Sequence, residues 1–186
     1  MSKKTKATQK NVGTAQVIRA RRLKLNTREE YKSLFFRGVL LSLATYVIFT
    51  KVFLITQNHG LGMFPALKDG DLIIAYRLQQ DYAKNDVVVY EVDGKMEVGR
   101  IVANSDDVVT IEENGTLRVN GTVQSGEIMY PTFPKEGIEY PYRVPEGQVF
   151  ILGDYRTVAV DSREYGSVSK KDFKGKVITI LRRRGL

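Results

Sequence analysis

The side chains able to attack a carbonyl or hold a metal are scarce in this sequence. There is no cysteine, which removes thiolate nucleophiles, disulfides and thiolate zinc sites together. One histidine, His59, cannot form a two-histidine metal site, so no metal and no cofactor is expected. A Ser/His/Asp triad would have to use His59, yet no serine lies between Ser42 and Ser105. The densest polar cluster is Gly153-Asp-Tyr-Arg-Thr-Val-Ala-Val-Asp-Ser-Arg, residues 153–163. Its Asp154, Arg156, Asp161, Ser162 and Arg163 offer ion pairs and a hydroxyl. Asp161 and Arg163 read better as a structural pair than as a catalytic acid and its partner. A glycine-rich turn, Gly60-Leu-Gly-Met-Phe-Pro-Ala-Leu-Lys-Asp-Gly-Asp, stands far upstream.

The elements that must position these residues divide into three parts. Residues 1–37 hold eleven of the 29 Lys/Arg and two of the 21 Asp/Glu, so 18 basic and 19 acidic groups remain beyond them. The basic excess is confined to one end. That argues against nucleic acid as a partner and for a membrane, because basic residues flanking an apolar span stay on the cytoplasmic side. Gly38–Ile55 carries one charge, Lys51, over eighteen residues, a helical length of roughly 27 Å. A buried core helix is the alternative, but one-sided flanking charge favours a transmembrane span over 38–56. The expected order is a cytoplasmic basic tail (1–37), a single-pass helix (38–56) and an extracellular domain (57–186).

Beyond Gly60 the pattern is strand and turn. Asp71–Tyr76, Val87–Val92, Lys95–Val102, Val108–Glu112, Thr116–Val119, Val149–Leu152 and Val177–Leu181 are rich in β-branched residues. Asp93-Gly94 and Asn120-Gly121 are two-residue hairpin signals. No helix of ordinary length is evident after the anchor, so the domain is expected to be mainly antiparallel β.

Three segments together resemble the bacterial type I signal peptidase family. Met63, Pro65, Leu67, Gly70 and Asp71 match the family's box after its serine. Val98-Gly-Arg-Ile-Val stands where the family has lysine followed by arginine. Gly153–Arg163 resembles the family's Gly-Asp-Asn-Arg box, with Gly166 following. The resemblance implies a signal-peptidase-type antiparallel β domain on one N-terminal helix, and a serine nucleophile activated by a lysine amine. Here the serine position is Gly62, the lysine position Gly99, the accessory serine Ala159, and the box asparagine Tyr155. A lysine must lose its proton beside a serine for this chemistry. Lys95 is no substitute, since four strand residues displace a side chain by about 13 Å. The sequence therefore predicts a pseudo-enzyme, with Met63, Phe64, Pro65 and Leu67 as candidates to line a remnant peptide groove.

Degenerate, singly anchored members encoded with sortase-built pili are similar to this chain. That similarity implies pilin subunits and a sortase as partners, at the outer face of the cell membrane. The rival expectation is a signal peptidase that processes secreted preproteins by an atypical or partner-dependent route.

Overall fold

The computed structural model describes residue 17 and residues 30–124 and 130–182. The chain divides into two units, Met1–Ile48 and Phe49–Leu186. Of the expected basic tail, residues 30–37 belong to the helix below and, apart from residue 17, the others lie outside the described residues.

A helix, α1, covers Glu30–Val52 and is long and apolar enough to cross a membrane. Every side chain from Glu30 to Lys51 is exposed, so this is not a buried core helix. Its last turn, Ile48–Val52, is π-helical and contains Lys51. The expected span of 38–56 is corrected at its end, because Phe53–Gln57 forms strand β1. Aromatic and β-branched residues there pair antiparallel with β2 (Leu72–Tyr76), Phe53 opposite Tyr76 and Gln57 opposite Leu72. The apolar run thus serves two structures, and hydropathy alone does not separate them.

Strands β3 (Val87–Val92) and β4 (Lys95–Ala103) form the hairpin that Asp93-Gly94 signals, and both turn residues have positive φ (50° and 76°). A small second sheet follows, from β5 (Val108–Ile111), β6 (Leu117–Val119), β7 (Thr122–Val123) and β8 (Tyr142–Arg143), in order β7-β6-β5-β8. The chain then returns through β9 (Gln148–Leu152), the four-residue helix α2 (Ser162–Tyr165), β10 (Val168–Ser169) and β11 (Phe173–Leu181). The main sheet has seven strands in the order β1-β2-β11-β3-β4-β9-β10.

Strand alternation places successive residues of β3 on opposite faces. Val88 and Tyr90 pack with Ile101, Val149, Ile151 and Val168 on one side. Val89 packs with Met63, Leu67, Ile73 and Ala75 on the other. The turn of residues 60–70 is thereby clamped to the main sheet by Met63 and Leu67, each 1% exposed.

Candidate functional site

The box at 153–163 is built on its buried ion pair. Asp161 and Arg163 are each 1% exposed, and the guanidinium meets the carboxylate at two points, Nε to Oδ1 and Nη2 to Oδ2, both 2.8 Å. Two buried charges persist in apolar surroundings only when their remaining hydrogen-bonding capacity is also met. It is met here. Arg163 donates to the carbonyls of Phe133 (3.1 Å) and Arg156 (2.6 Å), and Asp161 accepts from the backbone N–H of Gly153 (3.1 Å). Asp161 also caps α2, accepting from the Arg163 N–H at 3.2 Å.

The other box residues tie this knot to the sheet. Ser162 Oγ accepts from the Ile151 N–H of β9 at 2.9 Å. Asp154 holds Arg100 of β4 by two bonds, at 2.8 and 2.6 Å. Arg156 donates to the Gly153 carbonyl (2.8 Å) and to Thr132 Oγ1 (2.6 Å). Burial pushes the Arg156 guanidinium down to about 10, a desolvation effect that Asp161 and Asp154 oppose. Thr132 and Arg100 are structural partners that residue types alone did not single out, although Arg100 lies inside the Val98–Val102 motif.

This frame brings Gly62 and Ala159 together. The Gly62 carbonyl accepts from the Tyr155 N–H at 2.9 Å. A Cβ at residue 62 would stand 3.7 Å from the Ala159 Cβ, an ordinary contact, so there is room for a side chain there. Gly153 explains the close approach: a Cβ on it would meet the Gly62 carbonyl oxygen at 2.6 Å and Ala159 at 2.2 Å. The residues that the resemblance assigns to serine, accessory serine and box glycine therefore form one floor.

Gly99 behaves differently. A Cβ there would come within 2.4 Å of Ile151 Cγ2, 3.2 Å of the Tyr90 hydroxyl and 3.3 Å of Tyr90 Cε1. Tyr90 is fixed by a 2.7 Å hydrogen bond to the Tyr165 hydroxyl. Burial, above all, raises both phenol pKa values, so both stay neutral at ordinary pH. The space that a Cβ at 99 would enter is taken by Ile151 and by Tyr90, which Tyr165 holds in place.

A cleft of about 310 Å³ opens beside the floor. Its walls include Val98 and Met96 of β4 on one side and Val158, Ala159 and Val160 on the other, with His59 and Glu97 as the titratable residues of its lining. Lys135 steadies the second wall, donating to the Ala159 carbonyl at 2.7 Å and pairing with Glu164. Of the four expected groove residues, only Met63 lines this cleft. Leu67 is a correction: it is sealed in the core, where the turn needs it as an anchor. Phe64 and Pro65 lie outside the cleft lining. Phe64 instead packs in a tilted arrangement against Tyr155, ring centroids 6.0 Å apart, and Tyr155 in turn packs 4.6 Å from Tyr130. Among the described residues, no cluster of acids and His59 is arranged to hold a metal ion.

The described residues thus comprise an apolar helix long enough to cross a membrane and an antiparallel β unit whose cleft is lined by Gly60–Met63, Gly153 and Val158–Val160. The family model for signal peptidase, peptidase S26, matches residues 31–181, and the chain belongs to that family. Signal peptidase I of Bacillus caldolyticus is 29% identical over 153 residues, covering 72% of this chain and 84% of that one. Signal peptidase IB of Staphylococcus aureus (strain Mu50 / ATCC 700699) is 31% identical over 144 residues, covering 63% and 72%. The probable thylakoidal processing peptidase 2 of Arabidopsis thaliana is 33% identical over 132 residues; that match covers 62% of this chain and spans 34% of the plant protein. A crystal structure of a signal peptidase I from Enterococcus faecalis V583 aligns at 24% identity with a TM-score of 0.45, over 54% of this chain and 98% of that one.

Proposed function

We propose that this chain is a non-cleaving member of its family, which holds extended polypeptide rather than cutting it. The observation that carries this reading is the occupied space at Gly99. A Cβ at residue 99 would press on Ile151 and Tyr90, glycine carries no amine, and burial keeps the Tyr90 and Tyr165 phenols protonated, so neither serves as base. Residues 62 and 159 offer no hydroxyl. Peptide hydrolysis by this family's route needs a nucleophile and a neutral base in mutual reach, and losing both leaves only a residue of catalysis.

Binding has no such requirement. Strand β4 pairs with β9 only from Arg100 onward, so Lys95–Gly99 present an unpaired side next to the cleft. Main-chain pairing to such an edge is indifferent to residues 62 and 99. The context we propose is assembly of sortase-built pili, with pilin subunits as the bound chains at the outer face of the membrane. That context rests on similarity to degenerate family members.

The names of the relatives favour a second reading, processing of secreted preproteins with help from a partner. Deleting the gene in its host separates the two. The assembly reading expects loss of covalent pilin polymers with secreted proteins matured as before. Accumulation of uncleaved preproteins with intact pili would reverse the assignment.

A further inference from the structure

The cleft wall at residues 157–160 belongs to no strand. Val158 and Val160 are 52% and 59% exposed, so neither is anchored in the core. The N–H groups of Val158 and Ala159 both donate to the Tyr155 carbonyl, at 3.0 and 2.9 Å, which curls the segment but ties it only to its own box. The tie from outside is Lys135, whose Nζ donates to the Ala159 carbonyl at 2.7 Å. Arg163 Nη2 also faces that carbonyl, but at 3.5 Å, beyond the range of a firm hydrogen bond. Lys135 is paired in turn with Glu164 of α2. Neither Lys135 nor Glu164 lines the cleft, so any effect of Lys135 on a bound chain passes through the wall.

Lys135 stands 24 residues before Ala159, on an irregular segment that is itself fixed. The Thr132 N–H donates to the Gly115 carbonyl at 2.9 Å, Thr132 Oγ1 accepts from Arg156, and the Phe133 carbonyl accepts from Arg163. Pro131 and Pro134 hold two more φ angles of the same segment. The lysine therefore reaches from a firm base, and its ammonium gives a charge-assisted bond to a main-chain group between two cleft-lining valines. We infer that Lys135 is a positioning residue for the cleft: by holding the Ala159 carbonyl it keeps residues 157–160 as a preformed wall, and so sets the affinity for an extended chain lying between that wall and β4. The inference rests on the binding reading above and adds what holds that site ready. A wall fixed in advance spares the complex the entropy of ordering it on binding.

The test uses the full chain in neutral detergent micelles and a capped, uncharged fluorescent peptide of alternating valine and alanine, so that removing a cation has no ligand charge to act on. Lys135→Met keeps an apolar stem and loses the donor, whereas Lys135→Arg keeps a charged donor. Lys135→Met should bind the peptide about tenfold more weakly, mainly through faster dissociation, as expected if about one residue must be ordered afresh on binding. In the unliganded variant, amide hydrogen exchange at Val158 and Ala159 should be about tenfold faster, with the β3–β4 hairpin unchanged. The melting temperature should fall by no more than about 3 °C, because a partly exposed pair contributes little to stability. Lys135→Arg should restore both affinity and exchange. Unchanged affinity or unchanged exchange in Lys135→Met would overturn this inference and leave the binding reading standing. So would equal losses in the two variants, or a fall of about 10 °C with faster exchange throughout the β unit, which would make Lys135 a general brace of the fold. Failure of the unaltered chain to bind any such peptide would overturn the binding reading and this inference with it.

Discussion

Replacing Gly99 by alanine adds one carbon at the most crowded point of the site, and the structure sets the size of the effect. The new Cβ would lie 2.4 Å from Ile151 Cγ2, whereas carbon atoms settle at about 3.5–4.0 Å. A movement of roughly 1 Å is therefore required. Ile151 is fully buried, and Tyr90 is 1% exposed and tethered to Tyr165, so neither yields freely. Overpacking of this kind costs about 1–3 kcal/mol. The backbone at Gly99 is not in the positive-φ region, so alanine is conformationally acceptable and returns about 0.5–1 kcal/mol of unfolded-state entropy. The balance is a loss of about 1–2 kcal/mol. At about 3 °C per kcal/mol for a domain of this size, the melting temperature should fall by roughly 3–6 °C. Calorimetry of the full chain in micelles measures this directly. Ile151→Ala is itself destabilising, by about 2–5 kcal/mol, but it removes the clashing methyl. The double variant should therefore be less unstable than the two losses added together, by about 1 kcal/mol or more. A higher melting temperature for Gly99→Ala, or strict additivity, would mean that the space is open and the reasoning about Gly99 is wrong.

Asp161→Ala strands a fully buried guanidinium, and such losses run to about 3–5 kcal/mol; a melting temperature lower by roughly 10 °C is expected, and an unchanged one would contradict the buried pair. Tyr140 is pushed up to about 12, mainly by burial, and the same cause raises Tyr90 and Tyr165. Groups whose folded pKa lies above the unfolded value hold their stabilisation below the unfolded pKa of about 10 and lose it as pH rises through the folded value. The melting temperature should consequently drop between about pH 10 and 12, and phenolate absorbance should lag behind that of the unfolded chain; simultaneous ionisation of all the tyrosines near pH 10 would refute this. For topology, the eleven Lys/Arg before Gly38 predict that protease added to intact protoplasts digests the domain beyond α1 and spares the tail. A protected domain would reverse the orientation.

Much of the β architecture was legible because its signals are local. Asp93-Gly94 adopts the two positive-φ conformations that its hairpin demands, and the β-branched runs at 72–76, 87–92 and 149–152 are strands. The end of the apolar helix was not legible. Phe53-Leu-Ile suits lipid and strand equally, and only pairing with Leu72–Tyr76 decides between them. In the site, the Asp161–Arg163 pair could be read from spacing, since i and i+2 across a helix cap lie close together. Leu67 could not be separated from groove residues, because apolar type is common to core and binding wall. The obstruction at Gly99 arises from Tyr90, Ile151 and Tyr165, which are distant in sequence and meet only through the order of β3, β4 and β9 with α2.

The claim at the centre is that this member of the signal peptidase family does not cut. The most direct measurement is a single-turnover assay, with the full chain in lipid vesicles in molar excess over a labelled preprotein and an ordinary signal peptidase I run in parallel. Product is resolved by mass spectrometry. No cleavage at the signal-peptide junction is expected over hours in which the ordinary enzyme goes to completion. Cleavage at that junction at a comparable rate would contradict the account.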